Sequence, residues 1–181
     1  MNEITIIIIT YKSEKIIYDF IKKIPSTIKT IIIENSQNYE LKKDIEEKYK
    51  NISVYLKENN GVSSALNFAV EKVETKYFLQ ISPDINLDFE SLKFFLDFAN
   101  NKKNNFAALG PRFINVNKKS HKQIDENIEF GQINSIHGSC MFIKKDSFLK
   151  IGKFNENFFL YFEETEYCDR AKKKRICVIS D

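Results

Sequence analysis

The chain has 181 residues, with 28 basic and 25 acidic side chains and a formal charge of +3, a balance that gives no case for nucleic acid or an anionic membrane as partner. Its length suits one domain, residues 1–181, with a real buried core. Cys140, Cys168 and Cys177 are odd in number and contain no Cys-x-x-Cys pair, which argues against a disulfide framework or a structural zinc site and fits a reducing cytosol.

The first apolar run, Ile4–Thr10, is broken by Thr5, lacks a basic leader and falls far short of the ~20 residues needed to span a bilayer. It reads as a strand rather than a signal peptide or an anchor. A helical stripe follows at Ile16, Ile17, Phe20, Ile21 and Ile24, then a strand at Thr30–Glu34, a helix at Tyr39–Tyr49 and a strand at Ile52–Leu56. Gly61 opens the next helix after Asn59-Asn60, with a stripe of Val62, Ala65, Leu66, Ala69, Val70 and Val73. Pro83 stops the strand Tyr77–Ile81 just before Asp84. A helix at Asp88–Asn100, strands at Ala107–Gly110 and Ser139–Ile143, a helix at Glu163–Lys174 and a strand at Ile176–Ile179 complete the chain. Short β-branched runs alternating with helical segments predict an α/β fold, Rossmann-like, with a mostly parallel central sheet and helices on both faces. No repeat or Pro/Gly/Ser-rich linker divides it.

Ligands of such sheets bind beyond the carboxyl ends of the strands. Here those ends read Thr10-Tyr11, Glu34-Asn35-Ser36, Glu58-Asn59-Asn60 and Ser82-Pro83-Asp84, so four strand ends deliver polar groups to one rim. Neither G-x-G-x-x-G after the first strand nor G-x-x-x-x-G-K-S/T is present, which removes the usual dinucleotide and P-loop readings. A nucleotide site without a glycine cradle would need a divalent metal against the diphosphate. Near the C-terminus the aromatic loop Asn157-Phe158-Phe159-Leu160-Tyr161-Phe162 runs into Glu163, Glu164 and Glu166. Acids there suit proton transfer or metal work, and equally suit the positive end of a helix dipole, with Lys172, Lys173, Lys174 and Arg175 completing the pattern at the other end. Arg170 is placed to pair with Glu166, four residues before it. His137 is more readily a packing or hydrogen-bonding residue than a catalytic one.

Taken in order, Ile6-Ile7-Ile8-Ile9-Thr10-Tyr11-Lys12, Ile32-Ile33-Glu34-Asn35-Ser36, Asn59-Asn60-Gly61-Val62-Ser63-Ser64-Ala65-Leu66-Asn67, Ser82-Pro83-Asp84, Gly138-Ser139-Cys140-Met141-Phe142-Ile143 and Gly152-Lys153-Phe154-Asn155-Glu156 with Glu163-Glu164 resemble the family-2 glycosyltransferases of the GT-A fold. The likeness is nearest to the rhamnosyltransferase-like branch that builds bacterial surface polysaccharides. It implies that Thr10 and Tyr11 line a nucleoside pocket, with Asn60 and Ser82 at the same nucleotide site, and that Glu34 hydrogen-bonds a pyrimidine; a turn partner of Ser36 is the plainer role for that acid. It implies that Asp84 holds Mg2+ or Mn2+ on the donor diphosphate, although Ser82 stands where the first acid of the motif belongs and Pro83-Asp84 also suits a plain turn. Glu164 takes the place of the catalytic base, where Asp is more usual, with Glu163 as its alternate.

The implied reaction is inverting transfer from a UDP- or dTDP-linked sugar to a glycan or lipid-linked acceptor, in the cytoplasm or peripherally at the inner face of the membrane, with no nucleic acid and no direct membrane span. The chain stops at Asp181, where relatives commonly continue, and has only His121 and His137 where the family often places a metal-binding histidine later, so a truncated catalytic module is the expectation. The alternative is a non-catalytic nucleotide-sugar-binding or assembly module that retains the fold.

Overall fold

A strand that is apolar on both faces has to be covered on both. Strand β1 (Ile4–Thr10) is buried at six of its seven positions. A computed structural model of the chain, describing residues 2–86, 88, 90–101, 105–111 and 131–180, shows how the cover is supplied. On one side β1 pairs in parallel with β2 (Lys29–Glu34), and β3 (Ile52–Leu56) continues beyond β2. On its other side β1 pairs in parallel with β4 (Tyr77–Ile81). The connections are α1 (Glu14–Ile21), α2 (Tyr39–Lys48) and α3 (Val62–Lys72).

Alternate side chains of β1 point to opposite faces. Ile4, Ile6 and Ile8 join Ile17 of α1, Leu41 of α2 and Phe95 of α4 (Ser91–Asn100) in one core. Ile7 joins Leu66 of α3, Phe148 of α5 (Lys145–Ile151) and Tyr167 of α6 (Glu163–Lys173) in the other. The result is the expected sheet with helices on both faces.

The second half of the sheet departs from uniform direction. β7 (Cys140–Lys144) enters between β4 and β5 (Phe106–Gly110) and runs antiparallel to both. β8 (Cys177–Ser180) is parallel to β5, and the short β6 (Gly131–Gln132) is antiparallel to β8. An apolar run does not reveal which way a strand points, so this reversal was not predicted. It brings the residues before β7 to the rim where β1 and β4 end, and the Ser82 N–H donates to the Ser139 carbonyl at 2.9 Å.

Most predicted boundaries coincide with the observed ones or shift by one residue; larger departures have local causes. Helix α4 starts at Ser91 because the Asp88 carboxylate accepts from the Glu90 N–H at 3.0 Å, holding a turn before it. Helix α1 ends at Ile21, and Ile24 reaches the core from beyond it. Helix α5 was not predicted: its seven residues are too few to display a period. His121 lies outside the described residues.

Phe142 on β7 stacks on Tyr77 at 5.1 Å, Phe95 at 5.6 Å and Phe106 at 6.3 Å between ring centroids. Truncating it removes a ring from the junction between the parallel half and β5. Phe142→Ala should cost about 3–5 kcal/mol in urea unfolding; a loss below ~1 kcal/mol would show that the stack does not hold this junction.

Candidate functional site

The order β3-β2-β1-β4 reverses the direction of chain growth at β1, and an open sheet places its ligand crevice at such a point. A cavity of about 330 Å³ lies there. Ile9, Thr10, Gln80 and Ile81 enter it from the ends of β1 and β4, and Tyr11, Asn35, Asn59 and Ser82 from the loops that follow strands. Val62 at the start of α3, with Phe159 and Leu160 of the aromatic loop, completes the wall.

Thr10, Tyr11 and Ser82 are therefore brought together as predicted. The buried Thr10 hydroxyl donates to the Ile33 carbonyl at 3.3 Å, while Tyr11 is half-exposed with the Lys12 Nζ 5.4 Å from its ring centroid. Three other predicted residues do not line the cavity. Glu34 is fully buried, and its carboxylate accepts from the backbone N–H groups of Ser36 at 3.0 Å and Asn38 at 2.6 Å and from the Ser36 hydroxyl. It is a turn partner rather than a group facing a ligand. Asn60 is exposed and its N–H donates to the Glu58 carbonyl at 2.9 Å, leaving Asn59 to face the cavity. Asp84 is exposed in a turn closed by the Ile85 N–H on the Ser82 carbonyl at 3.1 Å, with no hydrogen bond or ion pair of its own among the described residues. Among those residues no group of three or more His, Cys, Asp or Glu side chains could hold a metal.

The acid cluster lies at the start of α6, after Tyr161 (φ 68°) and Phe162 (φ 72°). Two successive non-glycine residues in the left-handed region store strain of a kind concentrated at functional sites. Glu163 is buried; burial pushes its carboxyl above the ordinary value, a backbone hydrogen bond opposes this, and the neighbouring Glu164 charge adds to it. Its Oε2 has no hydrogen-bond partner among the described residues. Glu164 is half-buried. Gly138 packs against both acids: a methyl group there would sit 3.6 Å from Glu163 Oε1 and 3.5 Å from Glu164 Oε2. Beside it, His137 Nδ1 lies 2.7 Å from Ser139 Oγ and accepts from the Ser139 N–H at 3.2 Å, so the ring serves this turn. Arg170 pairs with Glu166 at 2.7 Å as predicted, and its guanidinium also donates to the carbonyls of Ile151 at 3.0 Å, Gly152 at 3.1 Å and Lys153 at 2.8 Å.

Helix α3 holds the loop that brings these acids to the rim. The buried Asn67 amide donates to the Phe154 carbonyl at 2.9 Å and to Glu156 Oε1 at 2.8 Å, and accepts from the Phe154 N–H at 2.9 Å. At the helix start the Val62 N–H donates to the Phe159 carbonyl at 2.8 Å. Gly61 has φ +89°, and a Cβ there would meet that same carbonyl oxygen at 2.5 Å. Asn35 and Asn59 were named only within the polar strand ends, and Phe159 and Leu160 only within the aromatic loop, while Gln80 and Asn67 were given no site role. The available signal was a polar residue inside an apolar pattern: Asn67 among Ala65, Leu66, Ala69 and Val70, and Gln80 in Tyr77-Phe78-Leu79-Gln80-Ile81.

Residues 5–169 match the family described as Glycosyl transferase family 2, and the chain belongs to that family. It is 24% identical over 201 residues to a low-salt glycan biosynthesis hexosyltransferase, Agl10, of Haloferax volcanii, covering 97% of this chain and 64% of that protein. It is 25% identical over 178 residues to a teichoic acid poly(glycerol phosphate) polymerase of Staphylococcus epidermidis, covering 89% of this chain and 25% of that one. The chain thus spans less than two thirds of the length of these relatives. In fold it is similar to the mannosyltransferase PcManGT from Pyrobaculum calidifontis in complex with GDP-Man and Mn2+, with a TM-score of 0.82 at 12% identity over 99% of this chain and 54% of that one. It is also similar to S. aureus TarS 1-349 in complex with UDP-GlcNAc, with a TM-score of 0.75 at 18% identity over 100% of this chain and 58% of that one. The fold is that of the GT-A glycosyltransferases.

Two outcomes follow from this geometry. Gly61→Ala, which forces a side chain into a left-handed position against the Phe159 backbone, should cost more than about 1 kcal/mol in urea unfolding, and an unchanged midpoint would show that the contact gives way freely. Because the folded state holds the Glu163 proton more tightly than the unfolded state, it binds more protons above the ordinary value of 4.5, and stability falls as pH rises through the elevated folded value. Glu163→Gln removes that loss, so its thermal midpoint should exceed the wild type's at neutral pH and the difference should shrink towards pH 4.5. A difference independent of pH would contradict the burial of an ionising group.

Proposed function

We propose, from the chain's membership of glycosyl transferase family 2, that it is the catalytic domain of an inverting enzyme that moves a hexose or deoxyhexose from a UDP- or dTDP-linked donor to a hydroxyl of a glycan or lipid-linked acceptor in surface-polysaccharide synthesis. The observation that carries the reading is the cavity at the switch point of the sheet, lined by Thr10, Tyr11 and Ser82 and walled by the loop that leads into Glu163 and Glu164. Tyr11 offers an exposed ring face to a base, and Glu164 is the partly accessible member of the acid pair. Glu164 accepts the proton of the acceptor hydroxyl as its oxygen attacks the anomeric carbon; the bond from that carbon to the phosphate oxygen breaks on the opposite side, and the nucleoside diphosphate leaves with the electron pair. Configuration at the anomeric carbon inverts. Glu163 remains the alternate base.

Asp84, exposed and without a partner among the described residues, together with the Ser82 hydroxyl, suits a single-carboxylate cation site completed by donor phosphate oxygens and water. Mg2+ or Mn2+ held there by Asp84 would offset the charge of the diphosphate. The GDP-Man and Mn2+ in PcManGT and the UDP-GlcNAc in TarS support the donor class and the use of a divalent ion. The free thiols of Cys140, Cys168 and Cys177 support a cytoplasmic setting. No helix of the described residues is long and apolar enough to cross a membrane, and the lipid-linked acceptor or a partner protein supplies any contact with the inner face.

Donor hydrolysis and transfer by the purified chain test this. Glu164→Gln should lower turnover by roughly 10²–10⁴-fold with donor affinity nearly unchanged, and a larger loss in Glu163→Gln would move the role to that residue. Calorimetry giving equal nucleotide affinity in EDTA and in Mn2+ would remove the cation. Donor binding without any turnover would favour a non-catalytic nucleotide-sugar-binding module, a reading to which Ser82 in place of an acid already lends weight.

A further inference from the structure

Tyr161 and Phe162 hold left-handed backbone angles immediately before the acids, and strain of that kind persists only where the surroundings fix both sides of it. On the α3 side the Val62 N–H holds the Phe159 carbonyl at 2.8 Å. On the α6 side the Glu166 N–H donates to the Phe162 carbonyl at 2.9 Å, which puts Glu166 directly behind the strained turn. Arg170 grips its carboxylate, with Nε on Oε1 at 2.7 Å and Nη2 on Oε2 at 2.9 Å. A guanidinium has five N–H donors, and the other three reach the carbonyls of Ile151, Gly152 and Lys153, where α5 ends. Every donor is matched. Gly152, at φ +103°, makes room, since a Cβ there would lie 3.2 Å from Arg170 Nη1. The guanidinium also lies 5.6 Å from the centroid of the buried Tyr167 ring.

Offsetting the negative end of α5 needs only a cation, and Lys174 already donates to the Lys150 carbonyl there. The planar fork of Arg170 does what a point charge cannot, because it holds two stretches of chain together. Residues 151–153 precede the aromatic loop and Glu166 follows it, so Arg170 closes the loop at its base. Phe159, Leu160, Glu163 and Glu164 all lie within the closed segment. We propose that Arg170 is a positioning residue for the acid pair, fixing the first turn of α6 against the cavity rim through Glu166. This rests on the glycosyl-transfer reading for what the acids do. The loop then has two separate clasps. Asn67 and Val62 on α3 set the cavity wall, and with it nucleotide affinity, whereas Arg170 on α6 sets the carboxylates, and with them turnover.

Wild type, Arg170→Lys and Lys174→Met are compared by amide exchange of the ligand-free chain, by calorimetry with UDP, dTDP and GDP, and by hydrolysis of a panel of sugars linked to those nucleotides. Arg170→Lys should speed exchange of the Glu166 amide at least about tenfold, while the Val62 amide exchanges as in the wild type. Its kcat should fall roughly 10–100-fold, because catalysis is sensitive to displacements of ~1 Å, with nucleotide affinity kept within about twofold. Lys174→Met loses only a cap of α5 and should leave exchange at Glu166 and kcat unchanged. Unchanged exchange at Glu166 in Arg170→Lys overturns the proposal, as does faster exchange with kcat intact. Equal losses in Lys174→Met overturn it, since capping alone would then account for them. A parallel loss of kcat and nucleotide affinity in Arg170→Lys overturns it too, since the two clasps would then be one. Should Arg170→Lys not fold, Glu166→Gln, which keeps one carbonyl oxygen for the fork and loses the other, is read by the same measures. If the wild type hydrolyses no donor, the transfer reading fails, and exchange at Glu166 alone decides whether Arg170 holds the acids.

Discussion

The hydrogen bonds that Asn67 makes with the Phe154 backbone and with Glu156 join parts of the chain 87 and 89 residues apart. Without them the segment that leads from α5 to α6 would keep its hold on α3 only at the Val62–Phe159 hydrogen bond, the exposed Lys153–Glu71 ion pair and the packing of Phe154. With them, and with the Phe159 carbonyl seated on the first turn of α3, the aromatic loop forms one wall of the cavity and the acids begin at a fixed place on the rim. Asn67 also gives a standard for other buried amides. Its oxygen and nitrogen are both matched, as a structural group in a core must be. Asn35 and Gln80 carry the same group with its oxygen unmatched among the described residues, and both stand at the cavity.

Strand direction does the complementary work on the other side of the site. In the parallel half, only residues following strands reach the rim. The reversed β7 adds residues that precede a strand, and so Gly138 meets Glu163 and Glu164 while Ser139 is tied to Ser82. The absence of a side chain at Gly138 leaves the two carboxylates room beside the backbone.

Much of this was readable from residue order. Isoleucines at both odd and even positions of β1 required a sheet covered on two faces, and Gly61 after two asparagines marked the start of α3. The acid pair was only half readable. Tyr167 and Ala171 are buried on α6, and Glu163 precedes Tyr167 by four residues, so helical spacing puts Glu163 on the inward stripe and turns Glu164 partly outward. Of the two roles offered for Glu34 the structure shows the turn, whose partners depend on backbone geometry: Gln37 has φ 58°, and the turn there folds the N–H groups of Ser36 and Asn38 back onto the carboxylate. The direction of β7 and the existence of α5 leave no local signature, since both follow from how the second half packs.

On the loop's side, the attachment to α3 is made mainly through backbone atoms: the N–H and carbonyl of Phe154 and the carbonyl of Phe159. Peptide groups are the same whichever side chain they bear. Phe159 and Leu160, which face the cavity, and Tyr161 and Phe162, which are exposed, can therefore be exchanged by evolution or by design without loosening the hold on the loop. The side chains fixed by it are Asn67 on the helix and Glu156 on the loop, together with the bare Gly61 at the helix start. The fold thereby separates the part that keeps the loop in place from the part that decides what the loop touches, and selectivity can drift within a constant frame.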